Sequence, residues 1–157
     1  MVRRIGEAAS GISRTHVQRC HMTRRAMIKP AMPLAGNSHP ELAEALAACT
    51  STELVRAEIG AFADGETHVR LPPAVRHTLV FIVQPTCPPA NDNLLKLALI
   101  ADAARAAGAV SIAAIVPYFG YARQERQERR EAEGEPRSAQ VAARLLAAVG
   151  IDDLSRA

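Results

Sequence analysis

Aromatic side chains are scarce in this 157-residue chain, which has no tryptophan, two tyrosines and three phenylalanines. Long apolar runs are missing as well. None approaches the about 18 consecutive residues that a membrane-spanning helix requires, so the chain reads as soluble and without a membrane partner. Its three cysteines, Cys20, Cys49 and Cys87, are odd in number and lack C-x-x-C spacing, which points away from a disulfide framework and towards free thiols in a reducing cytoplasm. The five histidines show no metal-ligand spacing. There is no G-x-x-x-x-G-K-[ST] phosphate loop, no G-x-S-x-G elbow and no H-E-x-x-H helix. A metal taking part in the chemistry would have to arrive with a substrate or be held by residues beyond this chain.

What is present is ordinary globular material, 48% apolar and 22% charged, unlike a disordered chain. The length suits one domain that buries about 70% of its unfolded surface. The charge is unevenly spread. Residues 1–29 hold seven Lys/Arg against the single acid Glu7, whereas the remainder holds twelve basic and fifteen acidic residues. The alkaline balance thus belongs to a leader and not to the body, which argues against a nucleic-acid partner, since that needs a basic face on the folded part. The leader is Arg-rich and acid-poor like an organellar transit segment. The alternative is an upstream extension ahead of a native start at Met27, leaving residues 30–157 as the folded domain.

Local patterns give an alternation of strands and helices. Residues 28–34 read as a first strand that Pro30 and Pro33 make an edge or an irregular one. "GNSHPELAEALA" follows with Ser38 and Glu41 at capping-box spacing and Pro40 in the first turn. "LVRAEIGAF" alternates like a half-buried strand, and "THVRL" comes after a D-G turn. The run "TLVFIV" (78–83) is continuously apolar, as strands covered on both faces are. "NDNLLKLALIADAARAAG" reads as a helix capped by Asn91 or Asp92 and ended by Gly108, with Leu94, Leu97, Ala98 and Ala101 on one face. "AVSIAAIV" is a second covered strand, and "SAQVAARLLAAVG" a helix closed by Gly150. This grammar is that of an α/β three-layer sandwich with a mostly parallel sheet.

Three stretches could carry chemistry. In "VPYFGYARQERQERREAEGEP", Tyr118, Phe119 and Tyr121 crowd just ahead of Arg123 and Gln124, at the carboxyl end of a strand, where ligands bind in such sheets. Gly120 permits a tight turn there, and an arginine fork beside a glutamine suits a polyphosphate. Equally, the rings could plug the strand end while the arginines pair with neighbouring glutamates. Arg123, Arg126, Arg129, Arg130 and Arg137 are matched by Glu125, Glu128, Glu131, Glu133 and Glu135, so the loop is neutral and no nucleic-acid patch. "FADGE" (62–66) is either a strand connection or a ring, a glycine and two carboxylates facing a ligand. "VQPTCPPANDN" could bind an anion at a helix start or simply supply a cap.

Taken together, "FADGETHVRL", "VFIVQPTCPPANDNLLKLALIADAARAAGAVSIAAIVPYFGYARQER" and "GEPRSAQVAARLLAAVGIDDL" resemble the N-terminal half of ribose-phosphate diphosphokinase, from about Pro33 to Leu154. The resemblance implies a phosphoribosyltransferase-like fold, and a family activity that transfers the β,γ-diphosphoryl unit of ATP to ribose 5-phosphate, with magnesium, to make phosphoribosyl pyrophosphate for nucleotide biosynthesis. It implies that Phe62 stacks on adenine with Asp64, Gly65 and Glu66 beside it, and that Arg123 and Gln124 meet the ATP, with Glu128 an acidic residue nearby. It also implies a site shared across a subunit interface, in a homo-oligomer or with a full-length synthetase.

The chain ends at "GIDDLSRA", where relatives continue into a strand with a metal-binding histidine and later a ribose-phosphate loop. No catalytic residue or ribose 5-phosphate site is therefore carried over. The expectations are a truncated domain without its last strands, an inner strand left with an open edge, and no activity as a fragment. The alternatives are a non-catalytic, synthetase-associated interaction module and a gene remnant.

Overall fold

The structure is a computed structural model, and it describes residues 2–4, 29–124 and 136–155. Six strands form the main sheet: β1 (Val2–Arg4), β2 (Lys29–Ala35), β3 (Val55–Arg56), β6 (Thr78–Val83), β7 (Ser111–Ile115) and β8 (Asp153–Ser155). Their spatial order is β1-β8-β7-β6-β2-β3, and β4 (Glu58–Ala61) and β5 (Thr67–Arg70) make a separate two-stranded hairpin. Every pair in the main sheet is parallel except β1 with β8. Helices α1 (Pro40–Thr50), α2 (Ala90–Ala106) and α3 (Ser138–Ala148) supply the crossovers that parallel strands require.

The layers follow from which residues the helices bury. Leu97, Ile100, Ala101 and Ala104 of α2 and Ala142 and Leu146 of α3 pack on Val80, Ile82, Ile112 and Ala114 of the sheet. Ala43 of α1, with Leu42 and Leu46 beside it, meets Ala35 and Val83 on the other face. Helices thus lie on both sides of the sheet, giving the three-layer α/β sandwich expected from the sequence. The second face is the thinner one, since alternate residues of β6, Leu79 and Phe81, are only half-buried. The hairpin joins the thicker layer, with Ile59 and Val69 against the main core.

The prolines of β2 do not make it an edge, for it lies between β6 and β3. Its register on β6 shifts between Lys29 and Met32, around Pro30, which is the irregularity those prolines foretold. Pro33 is tolerated for a directional reason. The Ala35 carbonyl accepts from Ala57 on the β3 side while Gly36 N–H donates to Val83 on the β6 side, so Pro33, two residues before Ala35, turns its donorless nitrogen towards β3. That strand begins only at Val55, opposite Leu34, and no ladder bond is lost.

Two other expectations change. "LVRAEIGAF" is not one strand, since β3 ends at Arg56 and β4 begins at Glu58, where the chain leaves the sheet for the hairpin. The edge of β7 is not open either. β8 pairs along it in parallel, and Val2–Arg4 pair with the far side of β8.

One carboxylate fastens β8 in place. Asp152 Oδ2 accepts from Arg105 (2.9 Å), Ser111 Oγ (2.9 Å) and the Ile112 N–H (2.9 Å), while Asp152 N–H donates to the Ile112 carbonyl at 2.8 Å. Arg105, in the last turn of α2 where a cation suits the helix dipole, also donates to the Gly150 carbonyl. The C-terminal end of α2, the start of β7 and the α3–β8 turn are thereby held at one point. Gly150 sits at φ +93°, and a Cβ there would come within 2.9 Å of the Arg105 guanidinium, so glycine is required on both counts.

Burial alone would raise the proton affinity of Asp152. The bonds from Ile112, Arg105 and Ser111, with the Arg105 charge, outweigh burial and hold its pKa below the ordinary 3.8. Its contribution is therefore fully present above that value and fades as pH falls through the lower, folded-state pKa. Asp152→Asn is expected to lower unfolding free energy by about 1 kcal/mol at pH 7, a figure discounted for the half-exposed pair. Urea melts at pH 7 and pH 3 should show that gap narrowing at the lower pH.

Candidate functional site

The carboxyl ends of β2, β6 and β7 open into three turns, and buried polar side chains tie them together. Gln84, fully buried, accepts from Ser38 N–H at 3.2 Å and donates to Asn93 Oδ1 at 3.4 Å. Ser38 Oγ in turn donates to the Pro85 carbonyl (2.9 Å), and Asn93 Nδ2 to the Cys87 carbonyl (2.8 Å). A Cβ on Gly36 would lie 1.9 Å from Gln84 Oε1, so the first turn can approach this amide only as glycine.

Thr86, 1% exposed, joins the second turn to the third. Its N–H donates to the Tyr118 carbonyl at 2.9 Å, and its hydroxyl donates to the same carbonyl (3.0 Å) while accepting from Gly120 N–H (2.7 Å). Gly120 serves close approach here, since an added Cβ would sit 3.0 Å from the Thr86 carbonyl. The left-handed residue of the turn is Tyr121, at φ +68°, and not the glycine. The Tyr121 hydroxyl donates to Asn91 Oδ1. Phe119 is buried in the main core while Tyr118 and Tyr121 are both exposed, so one ring packs beneath the strand end and Tyr121 is tied only through its hydroxyl.

The caps fall differently from the sequence reading. Helix α2 starts at Ala90 with Pro89 in the cap position and no side-chain cap, because Asn91 and Asp92 already lie inside the first turn. Asn91 is engaged by Tyr121 instead. In α1 the cap is His39, whose Nδ1 accepts from Leu42 N–H at 3.2 Å, and Ser38 is drawn away to Gln84 and Pro85. Pro40 occupies the first turn as expected.

Arg123 and Gln124 stand together in a short 3-10 turn, Ala122–Gln124, directly after this anchored segment, with the Arg123 side chain exposed. Glu128 lies outside the described residues. Phe62, Asp64, Gly65 and Glu66 are gathered at the tip of the β4–β5 hairpin. Phe62 N–H donates to the Glu66 carbonyl at 2.8 Å and Gly65 N–H to the Phe62 carbonyl at 2.9 Å.

Asp64 Oδ1 accepts from Glu66 N–H (3.1 Å), so one carboxylate oxygen shapes the turn. Gly65 has φ +90° with open space where a Cβ would go, leaving its backbone approachable. The Phe62 ring is 58% exposed and leans on His68, with centroids 5.1 Å apart and planes tilted by 49°. Gly60 makes room for that imidazole, since a Cβ there would meet His68 Nε2 at 2.2 Å.

Among the described residues, no hydrogen bond, ion pair or ring contact joins the hairpin tip to the Arg123 turn. The two halves of the expected site are each built, but separately. Nor do the described residues gather three or more His, Cys, Asp or Glu side chains that could hold a metal ion. Cys49 is exposed and Cys87 half-buried, both as free thiols. No helix among the described residues is long and apolar enough to cross a membrane.

The sequence reading missed Gln84, Thr86 and the Tyr121–Asn91 link. The only local signal was two polar residues flanking Pro85 straight after an apolar strand.

Comparison with known proteins bears on the same elements. Residues 32–150 match the family model described as the N-terminal domain of ribose phosphate pyrophosphokinase. The ribose-phosphate pyrophosphokinase of Clostridium perfringens is 50% identical over 68 residues, 43% of this chain and 21% of that protein. The chloroplastic ribose-phosphate pyrophosphokinase 1 of Oryza sativa subsp. japonica is 46% identical over 71 residues, 45% of this chain and 18% of that protein. The crystal structure of phosphoribosylpyrophosphate synthetase from Mycobacterium smegmatis superposes with a TM-score of 0.75 and 34% identity, covering 82% of this chain and 42% of that one. The match thus spans about a fifth of the curated relatives and less than half of the solved structure. With sheet, turns and sequence agreeing over most of the folded residues, the chain belongs to the family of the N-terminal domain of ribose phosphate pyrophosphokinase.

Proposed function

We propose that this chain is the nucleotide-binding half of a ribose-phosphate diphosphokinase. In this reading it takes up magnesium-ATP in the cytoplasm for diphosphoryl transfer to ribose 5-phosphate and does not complete that transfer alone. The observation that carries the proposal is the anchored turn after β7, in which Thr86 fixes the backbone and Asn91 holds the Tyr121 hydroxyl just ahead of an exposed Arg123. A guanidinium on such a support offers a planar fork to phosphate oxygens, and Gln124 follows it directly in the chain. Phe62 and the hairpin backbone at Gly65 suit the purine, by stacking and by close approach respectively.

The separation of the two groups supports a shared site, in which the hairpin of one copy covers the nucleotide held by the Arg123 turn of another. Transfer of this type rests mostly on positioning and on neutralising charge. The residues here would supply the positioning on the ATP side. Magnesium would arrive with the nucleotide and screen its phosphates. Ribose 5-phosphate would be held by residues of a C-terminal half. The second reading, a non-catalytic module that joins full-length synthetase, has its own support in Val141 and Leu145, which lie one turn apart on α3 and are exposed.

Calorimetric titration with magnesium-ATP should give saturable binding that Arg123→Ala weakens at least tenfold, about 1.4 kcal/mol. Phe62→Ala should weaken it by about 1 kcal/mol or more through lost stacking while changing unfolding free energy by less than about 0.5 kcal/mol, because the ring is exposed. AMP release with ribose 5-phosphate should be absent from the chain alone and appear when a separately made C-terminal half is added. Binding without AMP release in either arm, together with co-purification of a full-length synthetase, would favour the second reading.

A further inference from the structure

We infer that the Thr86 hydroxyl is a positioning residue for nucleotide binding, setting the aim of Arg123 through the backbone of the intervening turn; this rests on the nucleotide-binding reading above. Between the end of β7 at Ile115 and the 3-10 turn at Ala122 there is no sheet partner for the chain beyond Val116, whose N–H reaches the Ser155 carbonyl at 2.8 Å. The path of Tyr118–Tyr121 therefore depends on the Thr86 N–H bond to the Tyr118 carbonyl, on the burial of Phe119 and on side-chain ties.

Thr86 provides most of them. One buried hydroxyl bridges Tyr118 and Gly120, donating to the carbonyl of the first at 3.0 Å and accepting from the N–H of the second at 2.7 Å. A hydroxyl is the smallest group able to do both at once. Its methyl-only isostere would leave the Gly120 N–H buried without a partner, and a buried donor in that condition moves the backbone to find one. Gly120 lies close against the Thr86 carbonyl, where an added Cβ would come to 3.0 Å. The tie at Tyr121, through Asn91, comes one residue later, and Arg123 follows two residues after that. An adjustment at Gly120 thus reaches the guanidinium through Tyr121, itself tied to Asn91, and through the 3-10 turn, which packs against α3.

The pattern of ties also separates aim from strength. Thr86 touches no candidate ligand-facing side chain, being 1% exposed, and it adds no charge. Its effect on a nucleotide can come only through the backbone that carries Arg123. The adjacent Gln84–Asn93–Ser38 ties hold the first two turns together and do not reach the Arg123 turn.

The test compares Thr86→Val and Thr86→Ser with the unaltered 157-residue chain, measuring magnesium-ATP affinity by calorimetry, stability by urea melts and amide exchange at Gly120. Serine keeps the hydroxyl and should bind within threefold of the parent. Valine should bind at least tenfold more weakly at a temperature where melts show all three chains folded, with faster exchange at Gly120. A valine chain that is less stable but binds as the parent does would make Thr86 merely structural and overturn the inference, leaving the nucleotide-binding reading intact. A serine chain as weak as valine would also overturn it. No binding by the parent chain would remove the reading itself, and the inference with it.

Discussion

Everything at the carboxyl edge of this sheet depends on one constraint: polar backbone groups that emerge from three adjacent parallel strands must find partners without water. Gln84 and Thr86 meet it from a single turn. The first is wholly buried and links the turns after β2 and β6, and the second, almost as buried, links those after β6 and β7. An unpaired amide in such a place costs about 1–3 kcal/mol, so the turns are not free to drift. Their glycines follow from the same constraint. Gly36 and Gly120 are small because a neighbouring side chain or carbonyl already occupies the space of a Cβ, and neither needs a left-handed backbone.

The opposite end of the sheet is fastened by charge. Asp152 and Arg105 join the end of α2, the start of β7 and the approach to β8, and so decide that β8 runs beside β7. The fold is thus pinned at both ends of its inner strands, by neutral amides and hydroxyls at the carboxyl end and by an ion pair at the other.

Much of the fold could be read from local chemistry. The β-branched run at 78–83 is a strand over those very residues, and Gly108 and Gly150, at φ +91° and +93°, follow the ends of α2 and α3 as helix-stop signals predict. Where reading failed, a non-local fact decided. Pro33 would rule out an inner strand only if a paired neighbour stood on the side its nitrogen faces, and here β3 begins beyond it. Ser38 has the spacing of a cap, yet Gln84 and Pro85, far away in sequence, compete for it successfully. The site divided along the same line. Phe62–Glu66 and Arg123–Gln124 were visible as motifs, whereas the support beneath Arg123 was not, because no pattern in "QPT" says that a threonine will be buried against a turn some thirty residues on.

The family is that of the N-terminal domain of ribose phosphate pyrophosphokinase, and the account of this member reduces to a fixed turn presenting a guanidinium to a triphosphate. A crystal structure of the chain with magnesium and a nonhydrolysable ATP analogue addresses that claim most directly. The account predicts phosphate oxygens within hydrogen-bonding distance of Arg123, with the Thr86 contacts to Tyr118 and Gly120 unchanged. An analogue bound elsewhere, or a turn that rearranges to receive it, would contradict the account.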